Sequence, residues 1–280
     1  MDRGAAKSIE AGVLELELFG ISIAIGAIGS VLGVGGGVFL IPVLTLVFHV
    51  PIRLAIGASI VSVIATSSAA GAVYTGKGLT HTRLAMVLEI ATTAGALVGG
   101  MVATMIGARY LEALFALLLV LTAIGMRGLP AEKDGAVPTG KLDTSYIDPV
   151  SGGRVVYGVR NLPAGLAASF LAGNFSGMLG IGGGVVKVPI MMLVMRIPLK
   201  AAIATSNFMI GVTAATSALI FYQHDYVTPH LAVPTALGIL LGAGLEPRIF
   251  GRTRSGMIKR IFQLILIGLA VEMVLKAARG

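Results

Sequence analysis

At 280 residues the chain could form one or two soluble domains, but 56% of it is hydrophobic, 12% is charged and its mean hydropathy is +0.93, which leaves too little polar surface to coat a globule. The 21 Lys and Arg against 13 Asp and Glu give a net charge of +8 without the interleaved aromatics of a nucleic-acid platform, so the basic excess reads as loop charge of a membrane protein. The 39 glycines follow no collagen or linker period, and zero cysteine excludes disulfides, thiolate chemistry and Cys-ligated metals.

The opening segment MDRGAAKSIEAG mixes acids with bases, so no cleaved signal peptide is read there. Leu18 to Phe48 is free of charge, too long for one comfortable span and short for two, and it is interrupted by Gly33, Gly35, Gly36 and Gly37. Past His49, Pro51 and Arg53, the stretches Leu54 to Thr75 and Leu84 to Ala108 are each long enough to span a bilayer, and a shorter one runs from Leu111 to Met126. A polar, Gly- and Pro-containing stretch then divides the chain.

The second half repeats the first. A shift of 147 carries Leu32, Gly33, Gly35, Gly36, Gly37 and Pro42 onto Leu179, Gly180, Gly182, Gly183, Gly184 and Pro189. Without a gap it also carries Pro51 onto Pro198, Arg53 onto Lys200, Ser59 onto Ser206 and Thr66 onto Thr213. An internal duplication follows, with a first transmembrane repeat over 11–127, a cytoplasmic linker loop over 128–160 and a second repeat over 161–278. If the elements flanking the glycines go in and come back, each half crosses an odd number of times and the repeats are inverted. If they form one broken span, the repeats are parallel. The inverted arrangement puts 14 basic residues on one side and six on the other, against eleven and nine for the parallel one. The expected fold is therefore all-α: a polytopic helical membrane protein of two inverted repeats of about five apolar elements each, with broken or re-entrant helices at the glycines and both termini outside.

The motifs GSVLGVGGGVFLIPVL and GMLGIGGGVVKVPIMM each place a glycine run and a proline inside an apolar stretch, where a helix break is expected. A helix starting after each run offers unpaired N–H groups and a positive dipole end to an anion; close packing by small residues is the plainer use of the same glycines. The candidate substrate-binding residues are Gly35, Gly36, Gly37, Gly182, Gly183 and Gly184, with Lys187 as the charge inside an apolar element, where an unpaired cation is costly. Leu40 occupies the matching position of the first half, so the site is expected to be asymmetric. Ser59, Ser206, Asn207 and Asn174 are candidate hydrogen-bond donors, or serve their own helix backbone. Glu89, six residues after Arg83, reads as an interface residue, with a proton relay or pairing to a base as the other readings. The four histidines have no metal-ligand spacing, and no cofactor is implied.

The paired motifs LGVGGGVFLIP (Leu32 to Pro42) and LGIGGGVVKVP (Leu179 to Pro189) resemble those of the TauE/SafE family of sulfite exporters, also called toluene sulfonate uptake permeases. The resemblance spans about Gly20 to Lys276 and implies transport of a small sulfur-containing or organic anion (sulfite, thiosulfate, a sulfonate or sulfoacetate) across the bacterial inner membrane. The residues independently suit a secondary transporter working by alternating access, one repeat rocking against the other. The rival readings are an anion channel and a membrane-embedded enzyme acting on a small sulfur compound, although no apolar element holds a nucleophile–base pair. The expected partners are the small anionic substrate, a coupling proton or sodium ion, and the lipid bilayer, with no nucleic acid; a homodimer is left open.

Overall fold

The computed structural model describes residues 3–127, 140, 142–250, 260, 263–264 and 267–272. Much of the linker and most of the last apolar element of the second half lie outside these residues, as do several of the basic residues used to orient the chain.

The described elements are helical apart from one short hairpin. In chain order they are α1 (Arg3–Val31), α2 (Gly37–Pro42), α3 (Ile52–Gly76), α4 (Thr82–Met105), α5 (Ala108–Arg127), β1 (Thr144–Ile147), β2 (Arg154–Tyr157), α6 (Leu162–Leu179), α7 (Gly184–Leu193), α8 (Leu199–Gln223) and α9 (Pro229–Phe250). Among the described residues five helices are long and apolar enough to cross a membrane: Gly12–Val31, Ile52–Gly76, Thr82–Met105, Leu162–Leu179 and Leu199–Gln223. Their outer faces are greasy. On α4, Met86, Ile90 and Met105 are exposed while Thr92 and Gly95 are buried, the reverse of a soluble helix and what a hydrocarbon solvent favours.

The duplication governs the architecture. The shift of 147 carries both ends of α3 onto both ends of α8, and the first residues of α2 and α4 onto those of α7 and α9. The apolar run around the first glycines is interrupted as expected: α1 stops at Val31, Gly33, Gly35 and Gly36 take left-handed φ of 73°, 73° and 78°, and α2 begins at Gly37. A Cβ on Gly36 would lie 3.7 Å from the Ile25 carbonyl oxygen, so the chain has turned back alongside α1. In the second half Gly180, Gly182 and Gly183 repeat the conformation, and Gly183 lies against Ala172 and Ser176 of α6. Left-handed φ at these positions costs a glycine little and strains any residue with a Cβ. Pro42 and Pro189 fall inside α2 and α7, each removing one N–H from its ladder, and Pro42 leads into a wider π turn over Val43–Val47.

The two halves are interleaved rather than set side by side. α1 packs along α9 and α6 along α4, while α3 meets both α8 and α9, and α8 meets both α3 and α4. Glycines admit these crossings. A Cβ on Gly95 would strike the Phe170 carbonyl oxygen and one on Gly173 that of Thr92; the matching pairs Gly242 with Ile23 and Gly26 with Ile239 do the same between α9 and α1.

The linker contains a feature that the sequence reading treats as loop. β1 and β2 pair antiparallel, from Thr144 opposite Tyr157 to Ile147 opposite Arg154. The hairpin is fastened to the bundle by Asp148, whose two carboxylate oxygens accept from Lys200 Nζ at 2.8 and 3.0 Å, and by His81, whose Nε2 lies 2.8 Å from the Leu142 carbonyl oxygen and whose ring meets Tyr157 edge-on. Burial works to raise the Asp148 carboxyl, but the Lys200 hydrogen bond and the Val150 and Ser151 amides outweigh it and hold the group below its ordinary value.

Candidate functional site

The two glycine turns meet in the middle of the molecule, and the contacts between them are reciprocal. Ser59 Oγ on α3 donates to the Gly180 carbonyl at 2.8 Å, and Ser206 Oγ on α8 donates to the Gly33 carbonyl at 2.9 Å. Because Ser59 matches Ser206 and Gly33 matches Gly180, one interaction is made twice, each time across the two halves. The glycine at the head of each half-helix shares this junction: a Cβ on Gly37 would lie 3.1 Å from the Gly180 carbonyl oxygen, and one on Gly184 would strike that of Gly33. All six glycines of the two runs are buried.

Val63 and Ile210, also 147 residues apart, close the space between the turns. A Cβ on Gly35 would sit 3.2 Å from Ile210 Cγ2 and 3.3 Å from Val63 Cγ1, and Gly182 faces the same two side chains. Thr66 Oγ1 donates to the Gly35 carbonyl at 3.1 Å. The centre of the bundle is thus packed shut, and the serine hydrogens are already committed to carbonyls.

Beside this symmetric junction lies an asymmetric charge site. Lys187 is in the first turn of α7 and its side chain is 2% exposed. Its Nζ donates to Thr213 Oγ1 on α8 at 2.7 Å and lies 3.5 Å from Glu89 Oε2 on α4. Thr213 Oγ1 in turn donates to Glu89 Oε1 at 2.6 Å, while Thr92 Oγ1 donates to Oε2 at 2.9 Å. A buried ammonium and a nearly buried carboxylate are therefore joined directly and through one hydroxyl. The lysine stem passes over the glycine turn, its Cε 3.3 Å from where a Cβ on Gly183 would be.

Other sequence candidates fall nearby. Asn207 Nδ2 donates to the Ser30 carbonyl at the end of α1 at 3.0 Å, and its buried Oδ1 has no hydrogen-bond partner among the described residues. The backbone of Asn174 packs against Gly95 and Gly99, placing this residue in the α4/α6 crossing. For Glu89 the structure favours the pairing reading: the lysine's counter-charge is in the chain itself, 98 positions upstream. Two signals in the sequence pointed toward it, the threonines three and four residues after Glu89 on one helix face and the Thr66/Thr213 match.

A family model described as sulfite exporter TauE/SafE matches residues 18–273. The chain belongs to this family. Curated relatives cover most of it: a probable membrane transporter protein of Xylella fastidiosa (strain 9a5c) is 28% identical over 260 residues, 89% of this chain and 92% of that one. The probable membrane transporter protein YunE of Bacillus subtilis (strain 168) is 26% identical over 89% of this chain and 93% of its own, and MJ0441 of Methanocaldococcus jannaschii, with the same description, is 24% identical over 82% and 84%. No solved structure matches. Family, relatives and apolar helices together make this TauE/SafE chain a multi-pass membrane transporter.

Proposed function

We propose that the protein is a secondary transporter for a small sulfur-containing or organic anion, of the sulfite, thiosulfate, sulfonate or sulfoacetate class, in the bacterial inner membrane. The anion is received by Lys187 at the N-terminal turn of α7, beside the N–H groups of Gly182, Gly183 and Gly184, with Gly35, Gly36 and Gly37 across the junction and the hydroxyls of Ser59 and Ser206 joining once the junction opens and frees them from the Gly180 and Gly33 carbonyls. The observation that carries this reading is Lys187: an ammonium 2% exposed, at the positive end of a ten-residue helix, balanced by a carboxylate that remains 12% exposed and can yield its place. The turned-back glycine segments support inverted repeats, and the 14-to-six bias of basic residues supports a cytoplasmic linker. The closed junction supports a transporter over an open channel, because Val63 and Ile210 must withdraw before an anion can enter.

The interleaving changes the moving parts. With α1 packed along α9 and α6 along α4, these mixed pairs are the bodies proposed to rock. The test is a thermal-unfolding screen of the purified protein against sulfite, sulfate, thiosulfate, sulfonates and carboxylates. Stabilisation by a sulfur oxyanion that disappears in Lys187→Gln is expected; stabilisation by carboxylates alone overturns the sulfur assignment, and a shift unchanged in Lys187→Gln overturns the role of the lysine.

A further inference from the structure

We propose that Glu89 is a proton-coupling carboxylate that competes with the transported anion for Lys187, so that each monovalent anion travels with one proton. The inference rests on the anion site proposed above. In the structure the Lys187 ammonium is neutralised by Glu89 at 3.5 Å, and Thr213 stands between them, accepting from Lys187 at 2.7 Å and donating to Glu89 at 2.6 Å.

An anion arriving at Lys187 takes over the ammonium's counter-charge. If Glu89 stayed ionised, one cation would then face two anions in an enclosure from which water is largely excluded, at a desolvation cost of several kcal/mol per uncompensated ion. Uptake of one proton by the Glu89 carboxylate removes that charge: one O–H bond forms at the carboxylate, none breaks in the protein, and the loaded site is neutral again. On the far side the carboxyl releases its proton, returns to Lys187 and displaces the anion. Both the empty and the loaded site are then neutral, and an anion bound without a proton is held back by its charge.

The surroundings single out Glu89 for this exchange. Of the helices packed against α4, α6 carries no titratable residue, and α8 carries only Lys200 and Tyr222, at positions about 20 Å and about 13 Å along its axis from Thr213. α7 supplies Lys187 itself, and the other charge on α4, Arg83, is about 9 Å along the axis. Thr92 and Thr93, the latter with Oγ1 3.4 Å from Oε1, can serve either form of the carboxyl, because a hydroxyl both donates and accepts. The pair spans the two halves and occurs once: Leu40 and Ala236 stand where Lys187 and Glu89 would recur.

The experiment measures binding of methanesulfonate, which stays ionised, and of thiosulfate to the purified full chain as a function of pH, together with protons taken up per anion in weakly buffered solution. In the wild type, affinity for methanesulfonate falls by about tenfold per pH unit once Glu89 is ionised, and one proton enters per methanesulfonate bound. In Glu89→Gln the dependence is flat and no proton enters. A flat wild-type profile with binding intact, or an unchanged slope in Glu89→Gln, overturns the coupling role while leaving the anion site standing. Binding of neither anion by the wild type at any pH overturns the anion site, and the coupling with it. If Glu89→Gln does not fold, the wild-type proton count decides: one supports the exchange and zero overturns it.

Discussion

Thr213 shows how a single hydroxyl can be made indispensable. Its hydrogen goes to Glu89 and its lone pair to Lys187, so replacing it by valine, nearly the same in shape, withdraws one hydrogen bond from each of two charges. Thr213→Val should lower the melting temperature in detergent, and Thr66→Val less, because Thr66 serves only neutral carbonyls, those of Gly35 and Ser62. The pair itself is testable by a double-mutant cycle: Lys187→Met and Glu89→Gln should each destabilise, and together should cost less than their sum by about 0.5–3 kcal/mol. A coupling energy near zero would mean that the two charges do not sense each other. Lys187 was legible from sequence because a base in an apolar run announces itself. Glu89 was only half legible: pairing to a base was one of its readings, but its closeness in sequence to Arg83 favoured an interface position, and nothing in the sequence says that the fold carries it to a lysine on another helix.

At the level of elements, the glycines divide into those that make crossings and those that do not. Gly95→Ala or Gly173→Ala places a methyl against a backbone carbonyl that cannot step aside, and should cost about 1–3 kcal/mol, whereas Gly12→Ala meets nothing within 4 Å and should be neutral or slightly stabilising. Comparing unfolding temperatures of the three variants checks this. The hairpin adds a pH dependence. Because Asp148 is held below its ordinary value of 3.8, the stability it lends is fully present above that pH and is lost as pH falls through the folded-state value. The hydrogen-exchange protection factors of the Val150 and Ser151 amides should therefore fall in acid below that value, and Asp148→Asn should remove that step. Helix breaks were readable from the glycine runs, since no other residue tolerates left-handed φ so cheaply. The hairpin was not, because two four-residue strands in a polar segment carry little periodic signal and depend on docking to the bundle.

For the molecule as a whole, duplication was legible down to single residues, but interleaving was not: a shift of 147 says which elements correspond and nothing about which ones touch. The reciprocal serines give a test of the symmetry. Ser59→Ala and Ser206→Ala each leave a buried carbonyl without its donor, at about 1–3 kcal/mol, and the two losses should be similar in unfolding experiments. A large inequality would show that one turn bears more of the junction than the other.

The pairing of α1 with α9 also has a consequence for biosynthesis. The surface of α1 at Gly26 is built to receive Ile239, more than two hundred residues downstream, so at about 5–20 residues per second roughly 10–40 s of translation separate the emergence of the two. During that interval the first helix sits in the bilayer with its receiving face bare to lipid or to whatever insertion factor shields it. A chain that stalled after its first half would present the quality-control machinery with grooves cut for helices that were never made.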